Sequence, residues 1–258
     1  MQQRQSRYEQ ALASGRAALG TFCCLDGFST SHLLAAEGMD FLVLDKQHAA
    51  YDIETLETLC WRIRSAGAAA FIRTASCTDT AELNLVVDLP IDGILAPNID
   101  SLEAAEAVIR TCLMPPRGER SVGNVRNATL AGLDFRDLPD PMIGLLIEHV
   151  DAVNAIEEIA ALPGVSFLFV GPHDLAASMG ISAITEPDRP PEIEAALERV
   201  RAAACANGVT YWTWSPEPAG VQREVDAGAD AVMWGLDALI FRSAIREFLD
   251  GIRLDARV

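Results

Sequence analysis

The sequence predicts a single α/β domain with the (β/α)8 architecture, the TIM barrel. Eight short apolar runs alternate with amphipathic segments of helical period along the 258 residues. Runs such as Phe-Leu-Val-Leu at 41–44 and Phe-Leu-Phe-Val at 167–170 are apolar throughout, as expected for parallel strands covered on both faces. Eight strand–helix units in about 250 residues are typical of this barrel.

The predicted strands and helices alternate from residue 18 to residue 252. Strands are expected at Ala18–Cys24, Phe41–Asp45, Ala69–Arg73, Gly93–Pro97, Met142–Glu148, Ser166–Gly171, Val209–Thr213 and Ala231–Gly235. Helices are expected at Ser29–Glu37, Ile53–Ala66, Ala81–Leu89, Leu102–Thr111, Ala152–Ala161, Pro191–Asn207, Pro218–Ala227 and Ala238–Ile252. Several helices end at a glycine, such as Gly38 or Gly67, which can adopt the left-handed conformation that stops a helix.

A doubly wound open sheet is the main alternative fold. That fold usually carries a glycine-rich phosphate turn after its first strand, and residues 20–27 do not match it. Two segments interrupt the alternation: a polar insertion at about 114–140 and a loop at 181–191. Both fall inside the barrel count, so we expect one domain over residues 1–258.

The charge balance excludes several classes of function. The chain has 20 Lys and Arg against 37 Asp and Glu, a formal net charge of −17. Nucleic acids and anionic membrane surfaces select basic faces, so neither partner is expected. A polar start and six cysteines without disulfide or metal-ligand spacing predict a cytoplasmic protein with free thiols. The apolar last helix offers a surface for a neighbouring copy, and a homo-oligomer is expected.

Polar side chains gather at the predicted carboxyl ends of the strands, where TIM-barrel enzymes carry their catalytic groups. These residues are Asp26, Asp45, Lys46, Gln47, His48, Arg73, Glu148, His149, Gly171, Pro172, His173, Asp174 and Asp237. Gln47, Gly171 and Pro172 are expected to line the substrate. His149 and His173 are expected to be loop residues and not metal ligands.

The residue types at these strand ends suit chemistry beside a 2-oxo acid. Two carboxylates, Glu148 and Asp174, together with water and a chelating substrate make an oxygen-rich site for Mg²⁺ or Mn²⁺, with Co²⁺ as a further option. The Arg73 guanidinium can hold a carboxylate or keto oxygen in a fork. An imidazole at His48, oriented by Asp45, can move a proton. This set predicts cleavage or formation of a carbon–carbon bond.

The strand-end motifs resemble those of the metal-dependent (class II) 2-oxo-acid aldolases. This family includes 2,4-dihydroxyhept-2-ene-1,7-dioate aldolase and 2-keto-3-deoxy-glucarate aldolase. The resemblance runs from about Gly20 to the last helix. It is carried by Phe-Leu-Val-Leu-Asp-Lys-Gln-His-Ala at 41–49, Phe-Ile-Arg at 71–73, residues 115–123, Leu-Leu-Ile-Glu at 145–148 and residues 170–180.

The resemblance implies a TIM barrel, typically hexameric, whose divalent metal is held by Glu148 and Asp174. It implies that pyruvate binds to the metal as a chelate and reacts through a metal-stabilised enolate. Arg73 would hold the oxyanion, and His48 with Asp45 would move protons through a water. The stretch 120–123 is implied to lie near the site.

Four positions depart from the family pattern. Lys46 and Gln47 stand where the family usually has a glycine and an acidic residue, Leu146 replaces a glutamine, and His173 replaces a small residue. These changes leave open a related lyase or decarboxylase acting on another 2-oxo acid or a CoA ester. Lys46, the only lysine, leaves open a Schiff-base aldolase, and a non-catalytic binding protein on the same fold is a further alternative.

Overall fold

The chain folds into a closed barrel of eight parallel strands with helices on the outside, which confirms the predicted fold class. A computed structural model describes residues 5–25, 27–123, 125–134, 137–182 and 189–252. The strands pair in chain order, and the eighth strand closes on the first. They are β1 (Ala18–Cys23), β2 (Phe41–Asp45), β3 (Ala69–Arg73), β4 (Gly93–Ile99), β5 (Met142–Ile147), β6 (Val165–Val170), β7 (Thr210–Ser215) and β8 (Ala231–Leu236).

The helices largely follow the predicted order. They are α1 (Arg7–Ala13), α2 (Phe28–Ala36), α3 (Ile53–Ser65), α4 (Thr80–Val87), α5 (Leu102–Cys112), α6 (Val125–Ala131), α7 (Val150–Asn154), α8 (Ile156–Ala160), α9 (Pro172–Ser178), α10 (Pro191–Asn207), α11 (Pro218–Asp226) and α12 (Asp237–Asp250). The predicted single helix Ala152–Ala161 is wrong, because Ala155 leaves helical geometry and divides it into α7 and α8. No helix among the described residues is long and apolar enough to span a membrane.

Large aromatic rings fill the barrel interior because glycines on neighbouring strands make room for them. A Cβ added to Gly20 would lie 2.4 Å from the Phe41 ring, and one added to Gly144 would lie 2.0 Å from the Phe167 ring. The Phe167 ring stacks on Trp212 with a centroid distance of 3.9 Å. Rings and glycines therefore interdigitate at close-packed density.

Replacing Gly144 with alanine should therefore destabilise the barrel strongly. The new methyl group would overlap the buried Phe167 ring, and overpacking of a full core costs about 3 kcal/mol. Urea unfolding measures the loss. Gly251→Ala is the control, because Gly251 has a φ of −76° and a Cβ there would be at ordinary contact distance. Equal unfolding midpoints for the two variants would contradict this packing.

Helix α1 closes the amino-terminal end of the barrel. Tyr8 is buried there, and the Trp212 indole donates a hydrogen bond to its hydroxyl at 3.2 Å. Burial raises the pKa of Tyr8 to about 12. The Arg7 guanidinium donates to the carbonyls of Ala66 at 2.7 Å and Met39 at 2.8 Å, which ties α1 to the ends of neighbouring helices. The open end is therefore the carboxyl end of the strands.

The insertion at about 114–140 also lies at the amino-terminal end, because it joins the end of α5 to the start of β5. The Arg120 guanidinium is buried and donates to the Val87 carbonyl at 2.8 Å and to Asp88 at 2.7 Å, just beyond α4. Within one chain, residues 120–123 therefore belong to the end of the barrel opposite the strand-end site. The expectation that they lie near the site of their own chain is wrong. Residues 183–188 of the predicted loop at 181–191 lie outside the described part of the chain.

Candidate active site

The strand-end site arises from the alternation of side chains along each strand. Successive side chains point to opposite faces, so a residue two positions beyond an inward core residue also points inward. The residues Val43, Phe71, Leu146, Phe169 and Trp212 belong to the cluster inside the barrel. Two positions further, at the mouth, stand Asp45, Arg73, Glu148, Gly171 and Trp214.

Asp45 and Arg73 form a bidentate ion pair across the ends of β2 and β3. The Arg73 Nε and Nη2 atoms donate to Asp45 at 2.9 and 2.6 Å. The backbone N–H groups of Gln47 and His48 also donate to Asp45 Oδ1, at 3.1 and 3.2 Å. The Arg73 guanidinium lies 4.4 Å from the Phe22 ring centroid, within range of a cation–π contact. Asp45 therefore fixes both the guanidinium and the turn that carries His48.

The orientation of His48 differs from the expected contact. Asp45 meets His48 through the backbone N–H, so it positions the turn and not the imidazole ring. The His48 side chain is exposed at the mouth of the barrel. The neighbouring Gln47 has a buried amide oxygen with no hydrogen-bond partner among the described residues. The turn thus presents an accessible imidazole beside an amide oxygen that can accept a hydrogen bond.

Glu148 is a buried carboxylate with one oxygen held by the backbone. The N–H of Asn98, a residue with a φ of 55°, donates to Glu148 Oε1 at 2.7 Å. Oε2 faces Gly171, where an added Cβ would lie 3.3 Å away. Burial raises the pKa of Glu148 above its ordinary value, and the charge of Asp174 also raises it, whereas the Asn98 N–H and Arg73 lower it. Glu148 and Asp174 therefore repel each other at the mouth.

These two carboxylates fit a divalent cation. A cation between them would offset their repulsion, and Glu148 Oε2 faces Gly171, which has no side chain to cover it. Asp174 is exposed in the first turn of α9, which follows β6 directly. Within the described ranges no group of three or more His, Cys, Asp or Glu is placed to hold a metal. The protein would supply two metal ligands, and substrate and water would occupy the remaining coordination positions.

The other strand-end residues have structural contacts. The His149 Nδ1 accepts from the Asp151 N–H at 3.2 Å and caps α7. The His173 ring meets the Trp214 ring edge-on at 5.3 Å. Lys46 pairs with the largely buried Glu82 at 2.8 Å. The Lys46 amine is thus engaged by a carboxylate of α4, and this contact weighs against the Schiff-base alternative.

Asp237 connects the two strands that close the barrel. It accepts from the backbone N–H groups of Cys24 at 3.0 Å, Leu25 at 3.1 Å and Ala238 at 2.7 Å. It also accepts from the Cys24 thiol, and burial together with this hydrogen bond raises the pKa of Cys24 to about 12. Asp237 is therefore a structural acid and Cys24 stays protonated. The other predicted acid near this position, Asp26, lies outside the described residues.

Sequence reasoning missed two contributors to the site. Trp214 follows the inward Trp212 by two residues, and that spacing was the available signal. Asn98 acts through its backbone N–H, for which the sequence carries no signal beyond the tolerance of asparagine for a positive φ.

The fold and the site define a TIM-barrel enzyme with paired acids and a fixed guanidinium at its mouth. The family model described as HpcH/HpaI aldolase/citrate lyase matches residues 20–244, and the chain belongs to this family. This confirms the resemblance drawn from the motifs.

Named relatives agree with this assignment. The hydroxypyruvate/pyruvate aldolase of Cupriavidus necator is 28% identical over 95% of this chain and 92% of its own length. The 5-keto-4-deoxy-D-glucarate aldolase of Klebsiella pneumoniae is 28% identical over 96% of this chain and 97% of its own length. The crystal structure of an HpcH/HpaI aldolase from Desulfitobacterium hafniense matches with a TM-score of 0.84 and 25% identity, over 96% of this chain and 98% of that one. The chain is accordingly a carbon–carbon lyase of the aldolase type.

Proposed function

We propose that this chain is a divalent-metal-dependent aldolase that forms or cleaves a carbon–carbon bond next to a 2-oxo acid. The observation that carries this proposal is the pair of acids Glu148 and Asp174 at neighbouring strand ends, where Glu148 feels the charges of both Asp174 and Arg73. Two aldolases named for pyruvate-type and keto-sugar-acid substrates, each similar to nearly the whole chain, support the substrate class.

Glu148 and Asp174 would hold the cation, and their all-oxygen donor set favours Mg²⁺ or Mn²⁺, with Co²⁺ as a weaker candidate. Bound there, a divalent cation supplies a Lewis acid that polarises the keto group of a 2-oxo acid and favours its enolate. Gly171 keeps Glu148 Oε2 accessible, because any side chain at that position would crowd it.

Arg73 would bind the anionic end of the 2-oxo acid. Its Nε and Nη2 atoms are directed to Asp45, which leaves the N–H groups of Nη1 for substrate. The buried amide oxygen of Gln47 would accept from a substrate hydroxyl or an ordered water, and Gly171 with Pro172 would line the opposite side. The exposed His48 imidazole would move the proton at C3 through a water.

Proton exchange at the pyruvate methyl group tests this proposal without knowledge of the aldehyde. Pyruvate in D₂O should lose its methyl proton signal when the protein and Mg²⁺, Mn²⁺ or Co²⁺ are present, and EDTA should stop the exchange. Nuclear magnetic resonance follows the signal. A total absence of exchange at every concentration of all three metals would contradict the proposal. Release of carbon dioxide from oxaloacetate, measured in parallel, would instead indicate a decarboxylase.

Borohydride separates the metal mechanism from the lysine mechanism. Reduction in the presence of pyruvate should leave the mass of the protein unchanged, because Lys46 is paired with Glu82. A pyruvyl adduct on Lys46 would favour the Schiff-base aldolase instead.

The exposed apolar face of α12 supports assembly of several copies. Phe241 and Phe248 are 62% and 67% exposed, and Ile245 and Leu249 lie on the same helix with substantial exposed area. We propose that this face packs on a second copy, in a hexamer if the resemblance extends to assembly. Sedimentation equilibrium measures the mass. The six free cysteines fit a reducing compartment, and we propose a cytoplasmic location.

A further inference from the structure

The mouth of the barrel has a polar half and an apolar half. The polar half carries Asp45, Arg73, Glu148 and Asp174, at the ends of β2, β3, β5 and β6. On the other side, the ends of β7 and β8 present Trp214 and Leu236, which pack on the cluster that fills the interior. The buried Phe22 ring of β1 continues this apolar surface as far as the Arg73 guanidinium, 4.4 Å from its centroid. We call these three side chains the apolar wall. The residues of the polar half are the ones proposed to hold the metal and the 2-oxo acid. The apolar wall therefore remains available to the second substrate.

Trp214 is held rigidly although it is partly exposed. It packs on the interior cluster, and its indole Nε1 donates to the Gly235 carbonyl at 3.0 Å. Its ring also meets the edge of the His173 ring, one residue before Asp174 in the chain. A partly exposed, fixed indole at this position offers an apolar surface that a ligand can contact without the entropic cost of ordering the side chain.

A bulge in β8 turns Leu236 toward the interior. The pairing of β1 with β8 shifts register between Gly20 and Phe22, so that Phe22 pairs with Leu236 and not with Gly235. Gly235 has a φ of 56°, which glycine adopts without strain. The same residue supplies the carbonyl that holds Trp214. The bulge therefore builds two of the three members of the apolar wall.

The charges at the mouth disfavour a second anionic group. Within three residues of the eight strand ends, the Lys and Arg side chains are Lys46 and Arg73. Lys46 pairs with Glu82, and Arg73 pairs with Asp45. The remaining donors of Arg73 are assigned to the 2-oxo acid, so the described strand ends offer no further permanent cation. A carboxylate on the aldehyde would therefore find no counter-charge at these strand ends.

We propose that the aldehyde partner is uncharged and carries an apolar or aromatic group that packs on the apolar wall. This inference rests on the proposed aldolase function and names its second substrate class. In condensation, C3 of the 2-oxo acid loses a proton and bonds to the aldehyde carbon, while the carbonyl π electrons move to oxygen. That oxygen takes up a proton and becomes the 4-hydroxyl, and cleavage reverses each step.

Two aldehydes of matched framework but different charge test this inference, with pyruvate as the donor. Phenylacetaldehyde and (4-carboxyphenyl)acetaldehyde differ by one carboxylate on the ring. We expect kcat/KM to be at least about tenfold higher for the uncharged aldehyde, because the wall offers packing and no counter-charge. A preference for the carboxylated aldehyde, or equal values, would overturn the inference. Methyl-proton exchange of pyruvate is measured on the same protein, so loss of the aldolase function itself is seen separately.

Variants of the wall link this preference to named residues. Trp214→Ala should lower kcat/KM for phenylacetaldehyde about tenfold or more, mainly through KM, and should reduce the ratio between the two aldehydes. A general folding defect would lower both values together and leave the ratio unchanged. Trp61→Ala is the control, because Trp61 is a partly exposed tryptophan on α3. An unchanged ratio in a folded Trp214→Ala protein would overturn the role of the wall.

Leu236→Arg adds the missing cation and keeps the inference testable if Trp214→Ala fails to fold. The new guanidinium should raise kcat/KM for (4-carboxyphenyl)acetaldehyde relative to phenylacetaldehyde by about tenfold. An unchanged or opposite ratio would show that neither charge nor the wall selects the aldehyde.

Discussion

Glu148→Gln should remove metal binding and nearly all turnover at the same time. Glu148 is a buried carboxylate whose Oε2 faces Gly171, and it interacts with the charge of Asp174. A neutral amide cannot replace its charge toward a cation. We expect kcat/KM to fall by about 1,000-fold or more, since the Lewis acid and its substrate chelate would be lost together. Calorimetric titration with Mn²⁺ measures binding, and pyruvate proton exchange measures turnover.

The Glu148→Gln change should stabilise the folded protein slightly, although it removes metal binding and turnover. The Glu148 pKa is raised in the folded protein, so burial of its charge opposes folding above the ordinary carboxyl pKa. A neutral glutamine keeps an oxygen for the Asn98 N–H without that cost. Glu217→Gln is the control, because Glu217 is an exposed carboxylate after β7 with no part in the proposed site. Full turnover or unchanged Mn²⁺ affinity in Glu148→Gln would refute the ligand assignment.

Sequence reasoning predicted the barrel because its signals are local and repeated. Most strands are dominated by apolar residues, and polar residues stand at the carboxyl ends of β2, β3 and β5, so Asp45, Arg73 and Glu148 follow from strand position alone. The same reasoning places Asp174 at the start of a helix after β6. These residues needed no knowledge of long-range contacts beyond closure of the barrel.

The remaining features depend on contacts that local patterns do not encode. The bulge at Gly235 turns Leu236 inward and shifts the register of β8, and a glycine in a strand does not reveal the direction of such a turn. The division of α7 from α8 depends on the backbone conformation of one residue, Ala155. The expected placement of residues 120–123 near the site came from the resemblance, whereas the connection from α5 to β5 keeps Arg120 at the opposite end of its own barrel.

Lys46 shows why a departure from a family pattern needs three-dimensional context. As the only lysine at a strand end, it suggested a nucleophile. The structure directs it to Glu82, whose Oε1 also accepts from the Ala75 N–H at 3.1 Å. Lys46 therefore joins the β2 and β3 ends beside the Asp45–Arg73 pair, and its charge supports the arrangement of the mouth.

The Arg73→Lys variant should have much lower turnover but nearly unchanged metal affinity. This result would separate the role of the guanidinium in substrate binding from the role of the two acids in metal binding. A lysine retains one positive charge near Asp45 but lacks the fork that binds Asp45 and a substrate oxygen together. We expect kcat/KM for pyruvate exchange to fall by about 100-fold, with an increase in KM, and Mn²⁺ affinity to stay within about threefold.

Arg73→Ala should lose more turnover and also stability. Asp45 is 4% exposed, and removal of its partner would leave a buried carboxylate whose remaining hydrogen bonds come from two backbone N–H groups. Breaking such a pair costs about 3–5 kcal/mol, and Asp45→Asn in the same chain should restore part of this loss without restoring turnover. Urea unfolding, Mn²⁺ titration and pyruvate exchange on both proteins separate these effects. Loss of Mn²⁺ binding in a folded Arg73→Lys protein would mean that the guanidinium maintains the metal site and not the substrate.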